Sequence, residues 1–166
     1  METATATANE QTKNVVLCDV PRAGNDVYRI SRNDYKGERY IDIRIFFRSK
    51  EDASLFIPTS KGVCFPEKLR EDVIAGLIVA KAAPAVQRAE GEIFSSVKIC
   101  EIPISETECY RISKGAGEKN AFVDMRKFFQ KDGVYVPSKT KGVSILGTSL
   151  QDVILGLMRT EPEHLA

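Results

Sequence analysis

The chain has 166 residues, which is enough for one large domain or two small ones. Its 24 Lys and Arg residues nearly balance its 23 Asp and Glu residues, and the net charge of +1 excludes a histone-like polycation or an acidic solvating tail. The single histidine, His164, argues against a histidine base, a histidine-ligated metal or a Ser-His-Asp triad.

Cysteine usage and hydropathy place the chain in a reducing, intracellular context. Cys18, Cys64, Cys100 and Cys109 form no C-x-x-C pair, so neither a zinc site nor another cofactor is expected. The N-terminus has no apolar signal-peptide core, and the longest apolar run, Val73–Ala80, is far shorter than the ~20 residues that span a bilayer. We therefore expect buried free thiols and no membrane contact.

Residues 1–14 are polar, and we expect a disordered tail there. Three segments rich in β-branched and aromatic residues follow and predict strands over Val15–Val20, Val27–Ser31 and Tyr40–Phe47. Within Ile41–Ile45, isoleucines alternate with Asp42 and Arg44, so this strand has one buried face and one polar face.

Two further extended pieces, Leu55–Ile57 and Gly62–Phe65, precede a helix. Pro66 and Glu67 open this helix, because Pro suits the first helical turn and Glu favours the positive end of the helix dipole. Its apolar stripe comprises Leu69, Val73, Ile74, Leu77 and Ile78. The connections between strands are too short for parallel crossovers, so the sheet is antiparallel.

After a linker over residues 83–96, the first part of the chain repeats. The C-D-V-P, Y-R-I-S and I-D-I-R-I-F-F blocks of residues 18–21, 28–31 and 41–47 return as C-E-I-P, Y-R-I-S and V-D-M-R-K-F-F, each 82 residues later. Lys61-Gly62-Val63 and Asp72–Leu77 return 80 residues later. Because the blocks return in the same order, the sequence predicts two copies of one unit, residues 15–82 and 97–160, followed by a C-terminal tail over 161–166.

One unit of this size is marginal alone, since it buries only ~60% of its unfolded surface. We therefore predict an α+β fold of two repeats, each a four-stranded antiparallel sheet followed by a helix, packed as an intramolecular pseudo-dimer within a monomeric chain. In the second repeat, Thr148 or Ser149 caps a helix that runs to about Arg159. The stretch Gly115-Ala116-Gly117 is expected to form a hairpin turn.

An enzyme is not expected. Asp42 and Asp124 could serve as an acid–base pair, but each lies two residues before an arginine on the same strand face and is expected to pair with it. The sequence has no Walker loop, G-x-G-x-x-G, G-x-S-x-G or H-E-x-x-H motif.

Nucleic-acid binding has more support, because cations cluster in the predicted strands and aromatic residues interleave with them. Cations can follow the phosphates of a single strand while rings stack on exposed bases. The cationic candidates are Arg32, Lys36, Arg39, Arg44, Arg48 and Lys61 in the first repeat and Lys114, Lys119, Arg126, Lys131 and Lys141 in the second. The alternative interpretation makes half of the aromatics core residues and the cations solvated strand faces.

The blocks Tyr35-Lys36-Gly37, I-D-I-R followed by two aromatics, and Lys61-Gly62-Val63 before a Pro-started helix resemble the transcriptional coactivator family known as positive cofactor 4. The resemblance implies a curved four-stranded sheet followed by a helix, which works as a dimer and binds single-stranded DNA. It further implies binding of single-stranded or melted DNA without strong sequence preference, a role in transcription or in protecting exposed strands, and a nuclear location.

The same resemblance assigns roles to individual positions. Base stacking falls to Phe47 and Phe129, and to Tyr35 with Lys36 beside it. Phosphate contact falls to Lys61 and Lys141 and, unless their aspartates hold them, to Arg44 and Arg126. Because the second repeat lacks an aromatic at the Tyr35 turn, its affinity is expected to be lower.

Three alternatives remain at this point. Phe47 and Phe129 have the parity of the buried isoleucines, so they could be core residues. The same sheet could bind RNA, since stacking and phosphate contacts do not distinguish the sugars. The near-neutral charge also fits a protein-interaction scaffold whose nucleic-acid surface has decayed. Beside single-stranded DNA, the resemblance implies the transcription machinery as a protein partner.

Overall fold

A computed structural model describes residues 13–159, so His164, the tail over 161–166 and residues 1–12 of the predicted N-terminal tail lie outside the described residues. Four strands and a helix occur twice in the same order. The elements are β1 Lys13–Pro21, β2 Val27–Tyr35, β3 Glu38–Arg48, β4 Phe56–Pro66, α1 Arg70–Ala82, β5 Phe94–Pro103, β6 Glu108–Gly117, β7 Ala121–Lys131, β8 Val134–Leu146 and α2 Leu150–Leu157. We call residues 13–82 the first half and residues 94–157 the second half.

All eight strands belong to one sheet, in the order β1-β2-β3-β4-β8-β7-β6-β5. Neighbouring strands within each half are antiparallel, and β4 meets β8 in parallel where Gly62 pairs with Lys141. The predicted α+β class and antiparallel pairing are confirmed. Neither helix in residues 13–159 combines the length and the apolar character needed to cross a membrane.

The strand register breaks at corresponding places in the two halves. β1 shifts between Val16 and Cys18, and β5 shifts between Lys98 and Cys100. A second shift follows Arg44 in β3 and Arg126 in β7. Such bulges bend a strand and re-aim the side chains beside them, so each half bends its sheet at the same two points.

Alternation along the strands gives the sheet two different faces. Buried residues such as Ile30, Ile43 and Phe65 in the first half, and Ile112 and Met125 in the second, lie in one core on the side of the helices. We call the opposite face, which carries Arg29, Asp42 and Arg44 in the first half and Arg111, Asp124 and Arg126 in the second, the open face.

Each helix packs on strands of the other half. Helix α1 contacts β5 and β6, and α2 contacts β1 and β2. Both contacts are made through a glycine: a Cβ on Gly76 would come within 2.6 Å of the Ile112 side chain, and one on Gly156 within 2.6 Å of the Cys18 sulfur. Glycine costs a helix about 1 kcal/mol relative to alanine, and here it permits the helix to approach the sheet closely.

Two buried tyrosines also join the halves. The Tyr28 hydroxyl donates to the Ser144 carbonyl at 2.9 Å and accepts from the Leu146 backbone N–H at 2.9 Å. The Tyr110 hydroxyl donates to the Cys64 carbonyl at 2.8 Å, and burial raises the pKa of this phenol. The tyrosine of each repeated Y-R-I-S block thus satisfies backbone groups of β4 or β8 in the other half.

Replacing Tyr28 with Phe should cost about 1–3 kcal/mol, because buried backbone groups lose their partner. Tyr110→Phe is the matched control and should cost less, since its hydroxyl bonds to one backbone group of β4 whereas Tyr28 bonds to two of β8. Urea unfolding midpoints at equal m-value measure both losses. A loss at Tyr110 equal to or greater than that at Tyr28 would contradict this account.

Several sequence predictions about the first half are wrong in detail. The pieces Leu55–Ile57 and Gly62–Phe65 belong largely to one strand, β4, because pairing with β3 resumes at Pro58 after an irregularity that leaves residues 59–61 without a partner in β3. The helix does not open at Pro66: Glu67–Leu69 is a separate 3-10 turn before α1. Ile78 is 45% exposed, because Gly76 and Ala80, both small, complete the buried stripe instead.

The second half also departs from expectation. Gly115-Ala116-Gly117 ends strand β6 and is not the turn, which lies over residues 118–120. Strand β5 begins at Phe94, inside the segment assigned to the linker. Helix α2 ends at Leu157, and the Ser149 hydroxyl donates to the Pro21 carbonyl at 2.8 Å instead of capping the helix.

Candidate nucleic-acid interface

Arginine–aromatic contacts cover part of the open face in the first half. The Arg29 guanidinium lies 4.5 Å from the Phe46 ring centroid and 5.5 Å from that of Phe56, and is bonded to Asp19 at 2.8 Å. The Arg48 guanidinium lies 4.8 Å from the Phe56 ring centroid and donates to the Ala53 carbonyl at 2.7 Å. These rings therefore already have cationic partners.

The second half repeats part of this arrangement. Arg111 lies 4.0 Å from the Phe128 ring centroid and 2.6 Å from the Glu101 carboxylate. Its hydrogen bond is the main reason why the pKa of Glu101 lies below the ordinary value. A carboxylate, an arginine and the first phenylalanine of the Phe-Phe pair thus form a unit in both halves.

The strand arginines Arg44 and Arg126 are held in place, and the expected pairing with Asp42 and Asp124 is confirmed. Arg44 donates to both carboxylate oxygens of Asp42 at 3.1 and 3.0 Å and to the Thr59 carbonyl at 3.0 Å. Arg126 donates to Asp124 at 3.2 and 3.1 Å and to a carbonyl of β8 at 2.9 Å. Both guanidiniums retain N–H groups for a further acceptor.

The glycine of each K-G-V block makes room for these guanidiniums. A Cβ on Gly62 would lie 2.5 Å from the Arg44 Cζ, and one on Gly142 would lie 2.4 Å from the Arg126 Cζ. Each arginine therefore lies flat against the neighbouring strand. The glycine of the K-G-V block therefore positions the strand arginine, in addition to the phosphate contact predicted for the lysine of the same block.

Tyr35 and Lys36 lie at the end of the β2–β3 hairpin. Tyr35 is 45% exposed and shares the open face with the strand arginines, and the Lys36 ammonium is 5.4 Å from its ring. Lys36 has a φ of +49° at the turn. The ring is thus available on one side at the outer end of the first half.

The second phenylalanine of each pair lies on the other side of the sheet. Phe47 and Phe129 are 41% and 40% exposed, but alternation puts them on the face of the buried isoleucines and not on that of Arg44. Phe46 and Phe128 occupy the open face instead. Stacking by Phe47 and Phe129 stays a prediction, and these rings do not join the arginines.

Three predicted cations also lie on the helix side. Arg32 is 2.9 Å from Glu67, and Arg39 lies 3.7 Å from Asp34 and 3.9 Å from Glu67. The Lys114 ammonium donates to the carbonyls of Lys81 and Ala83, at 3.4 and 2.5 Å, and so satisfies the C-terminal end of α1. These contacts give Arg32 and Lys114 structural roles away from the open face, whereas the largely exposed Arg39 side chain makes only weak ion pairs.

A groove of about 1040 Å³ runs along the open face of the second half. Its wall includes Phe94, Phe122, Phe128, Lys119, Arg126 and Lys139. The Phe94 and Phe122 rings meet edge to face, with centroids 6.0 Å apart at 70°. The Phe122 ring lies against Gly115, where a Cβ would come within 2.5 Å of it.

A smaller pocket of about 310 Å³ lies between the two halves, and we call it the seam pocket. Its charged side chains are Arg22, Lys61, Arg126 and Lys139, with no carboxylate among its lining residues. Lys61 and Lys139 have no ion pair within residues 13–159. Lys141 pairs with Gly62 beside it and is exposed, as is Lys131 at the outer end of β7.

Three residues of the groove, Phe94, Phe122 and Lys139, are not among the predicted site residues. Phe94 falls within the predicted linker, although the alternation of Phe94, Ser96 and Lys98 is that of a strand. Phe122 has the parity of Asp124 and Arg126, and this shared face was the available signal.

Cys64 is an exception to the expectation of buried thiols, because it is exposed on β4. Although the residue is exposed in part, neighbouring atoms desolvate its thiol, and this desolvation, followed by the charge of Asp42, raises the pKa of the thiol to about 11. Within residues 13–159, no three His, Cys, Asp or Glu side chains are grouped to hold a metal ion.

Because a raised pKa keeps the thiol neutral, iodoacetamide should alkylate Cys64 slowly at pH 8. The rate should rise about tenfold per pH unit until it levels off near pH 11. Peptide mass spectrometry follows the modification, and Cys64→Ser is the control for site assignment. Alkylation at pH 8 as fast as that of free cysteine would contradict the raised pKa.

Comparison with protein families matches residues 25–75 to the family model "Transcriptional Coactivator p15 (PC4)". A solved PC4 homologue from Burkholderia pseudomallei, in a tetragonal crystal form, is 31% identical over 41% of this chain and 97% of its own, with a TM-score of 0.37. Its orthorhombic form gives 29% identity over 45% and 96%, with a TM-score of 0.39. Comparison with curated proteins gives no match.

Proposed function

Since the chain belongs to the PC4 family, we propose that it binds single-stranded or melted DNA, largely without sequence preference. It acts as a transcription cofactor or as a protein that protects exposed single strands. The resemblance extends this proposal to a nuclear location and to contact with the transcription machinery.

The observation that carries the proposal is the chemistry of the open face. An arginine lies over a phenylalanine ring in each half, and a groove lined by aromatic rings runs into a pocket whose charged side chains are all cationic. Rings can stack on any base, and cations follow the phosphates, so this combination suits single strands of varied sequence.

The proposal includes an intramolecular pseudo-dimer in a monomeric chain. The support is reciprocal: each helix packs on the other half, both Tyr28 and Tyr110 bond across the boundary, and the strand order is symmetric about β4 and β8. A contact that a homodimer makes between chains is here made within one chain.

Fluorescence anisotropy with oligo(dT), the equivalent RNA and a duplex, at two salt concentrations, tests the function. Oligo(dT) should bind most tightly, with log K falling by about 0.7 per log unit of salt for each phosphate neutralised. Tighter binding of the RNA than of oligo(dT) would identify RNA, and not DNA, as the ligand of the open face. Absence of binding to all three would leave an interaction scaffold and overturn the proposal.

A further inference from the structure

The two halves offer different surfaces to a nucleobase. In the first half, Arg29 and Arg48 already lie over the Phe46 and Phe56 rings. Within residues 13–159, no cation lies over the Phe94 or Phe122 ring. A base can therefore stack on these two rings without displacing a guanidinium.

Sequence differences between the halves build this surface. Phe122 occupies the position that Tyr40 holds in the first half, and its cross-strand partner is Gly115 where Tyr40 faces Asn33. The glycine lets the Phe122 ring settle against β6, since a Cβ there would lie 2.5 Å from the ring and 2.7 Å from the Ser95 carbonyl. The Phe94 ring, 56% exposed, then forms the second wall.

Charge is divided between the groove and the seam pocket. Four cationic and three acidic side chains line the groove, so its electrostatic attraction for phosphate is weak. The seam pocket has four cationic side chains and no acidic one. Arg126, Lys139 and Ser144 line both, which makes the two spaces continuous.

We infer that the second half holds the bases of the bound strand, stacked on Phe94 and Phe122, while its phosphates pass the seam pocket at Lys61 and Lys139. This inference rests on the proposed function and deepens it. It reverses the expectation from sequence that the second half binds more weakly, because the missing aromatic at the Tyr35 turn is replaced by two rings elsewhere in that half.

Oligo(dT) anisotropy on the full chain tests the inference with conservative variants. Phe94→Leu and Phe122→Leu keep apolar volume but remove the ring, and each should weaken binding about 5-fold to about 140-fold, from the value of one stacked base. Phe94→Trp keeps a ring and should bind at least as tightly as the unchanged chain. Tyr40→Leu, the matched first-half control, should change affinity less than twofold.

Salt titration distinguishes base stacking in the groove from phosphate contact in the seam pocket. Lys61→Ala should lower the salt slope by about 0.7, the value of one phosphate contact on a single strand. Phe94→Leu should leave the slope unchanged while lowering affinity. Melting curves identify variants that unfold. Because the Phe94 side chain is exposed, its replacement should affect the stability of the fold least.

The possible outcomes are distinct. If the unchanged chain does not bind oligo(dT), the proposed function itself fails. If it binds and the folded Phe94→Leu variant binds equally well, the bases lie elsewhere and the inference is overturned. A loss at Tyr40 as large as that at Phe122 would overturn it too, since the halves would then be equivalent.

Discussion

Expressed separately, residues 1–82 and 83–166 should not fold as monomers. Each half would lack the helix that covers its own sheet, since α1 lies on β5 and β6 and α2 lies on β1 and β2. Buried residues of both halves form one core. Circular dichroism melts and light scattering at micromolar concentration would show an unfolded chain, or a folded species that exists only as a dimer and whose melting temperature depends on concentration.

Mixing the two halves is the matched control. Together they restore every contact except the covalent connection, so the mixture should regain a cooperative melt and form a one-to-one complex. A single half that melts cooperatively as a monomer would contradict the reciprocal packing of the helices.

Leu157→Ala should destabilise the chain by about 2–5 kcal/mol, the cost of truncating a fully buried leucine. Leu157 is 1% exposed on the face of α2 that meets the other half, and Leu77 on α1, at 0%, should behave alike. Leu155→Ala is the control on the same helix: this side chain is 49% exposed, and its loss should stay within about 0.5 kcal/mol. Urea unfolding at equal m-value measures all three. Similar losses at Leu155 and Leu157 would show that α2 does not pack as described.

The repeated blocks made much of the fold predictable. Alternating isoleucines in Ile41–Ile45 located the third strand, and the equal spacing of the blocks predicted two similar halves. The crossing of the helices was not predictable in detail, because helical periodicity shows which residues are buried but not which strands they meet. Gly76 and Gly156, which make that contact, have no side chain to mark it.

The sequence predicted the types of residue at the candidate site, cations and aromatics, better than it predicted which of them share one face of the sheet. The structure places Arg44 and Tyr35 on the open face and Lys61 in the seam pocket, and their contact with nucleic acid stays a prediction. Arg32 and Lys114 were selected because they are cations on strands, yet their partners, Glu67 and the end of α1, belong to elements distant in sequence. The second phenylalanine of each pair, for which base stacking stays a prediction, lies on the helix side, because alternation puts only the first beside the strand arginines.

Photo-crosslinking to an oligonucleotide that contains 5-bromodeoxyuridine tests most directly whether the open face binds single strands. Irradiation of the complex, proteolysis and mass spectrometry identify the peptides in contact with bases. The account predicts crosslinks in peptides that carry Phe94 or Phe122, on β5 and β7. Crosslinks confined to α1 or α2, or to the cleft on the helix side whose wall includes Arg32, Arg39 and Glu67, would contradict it.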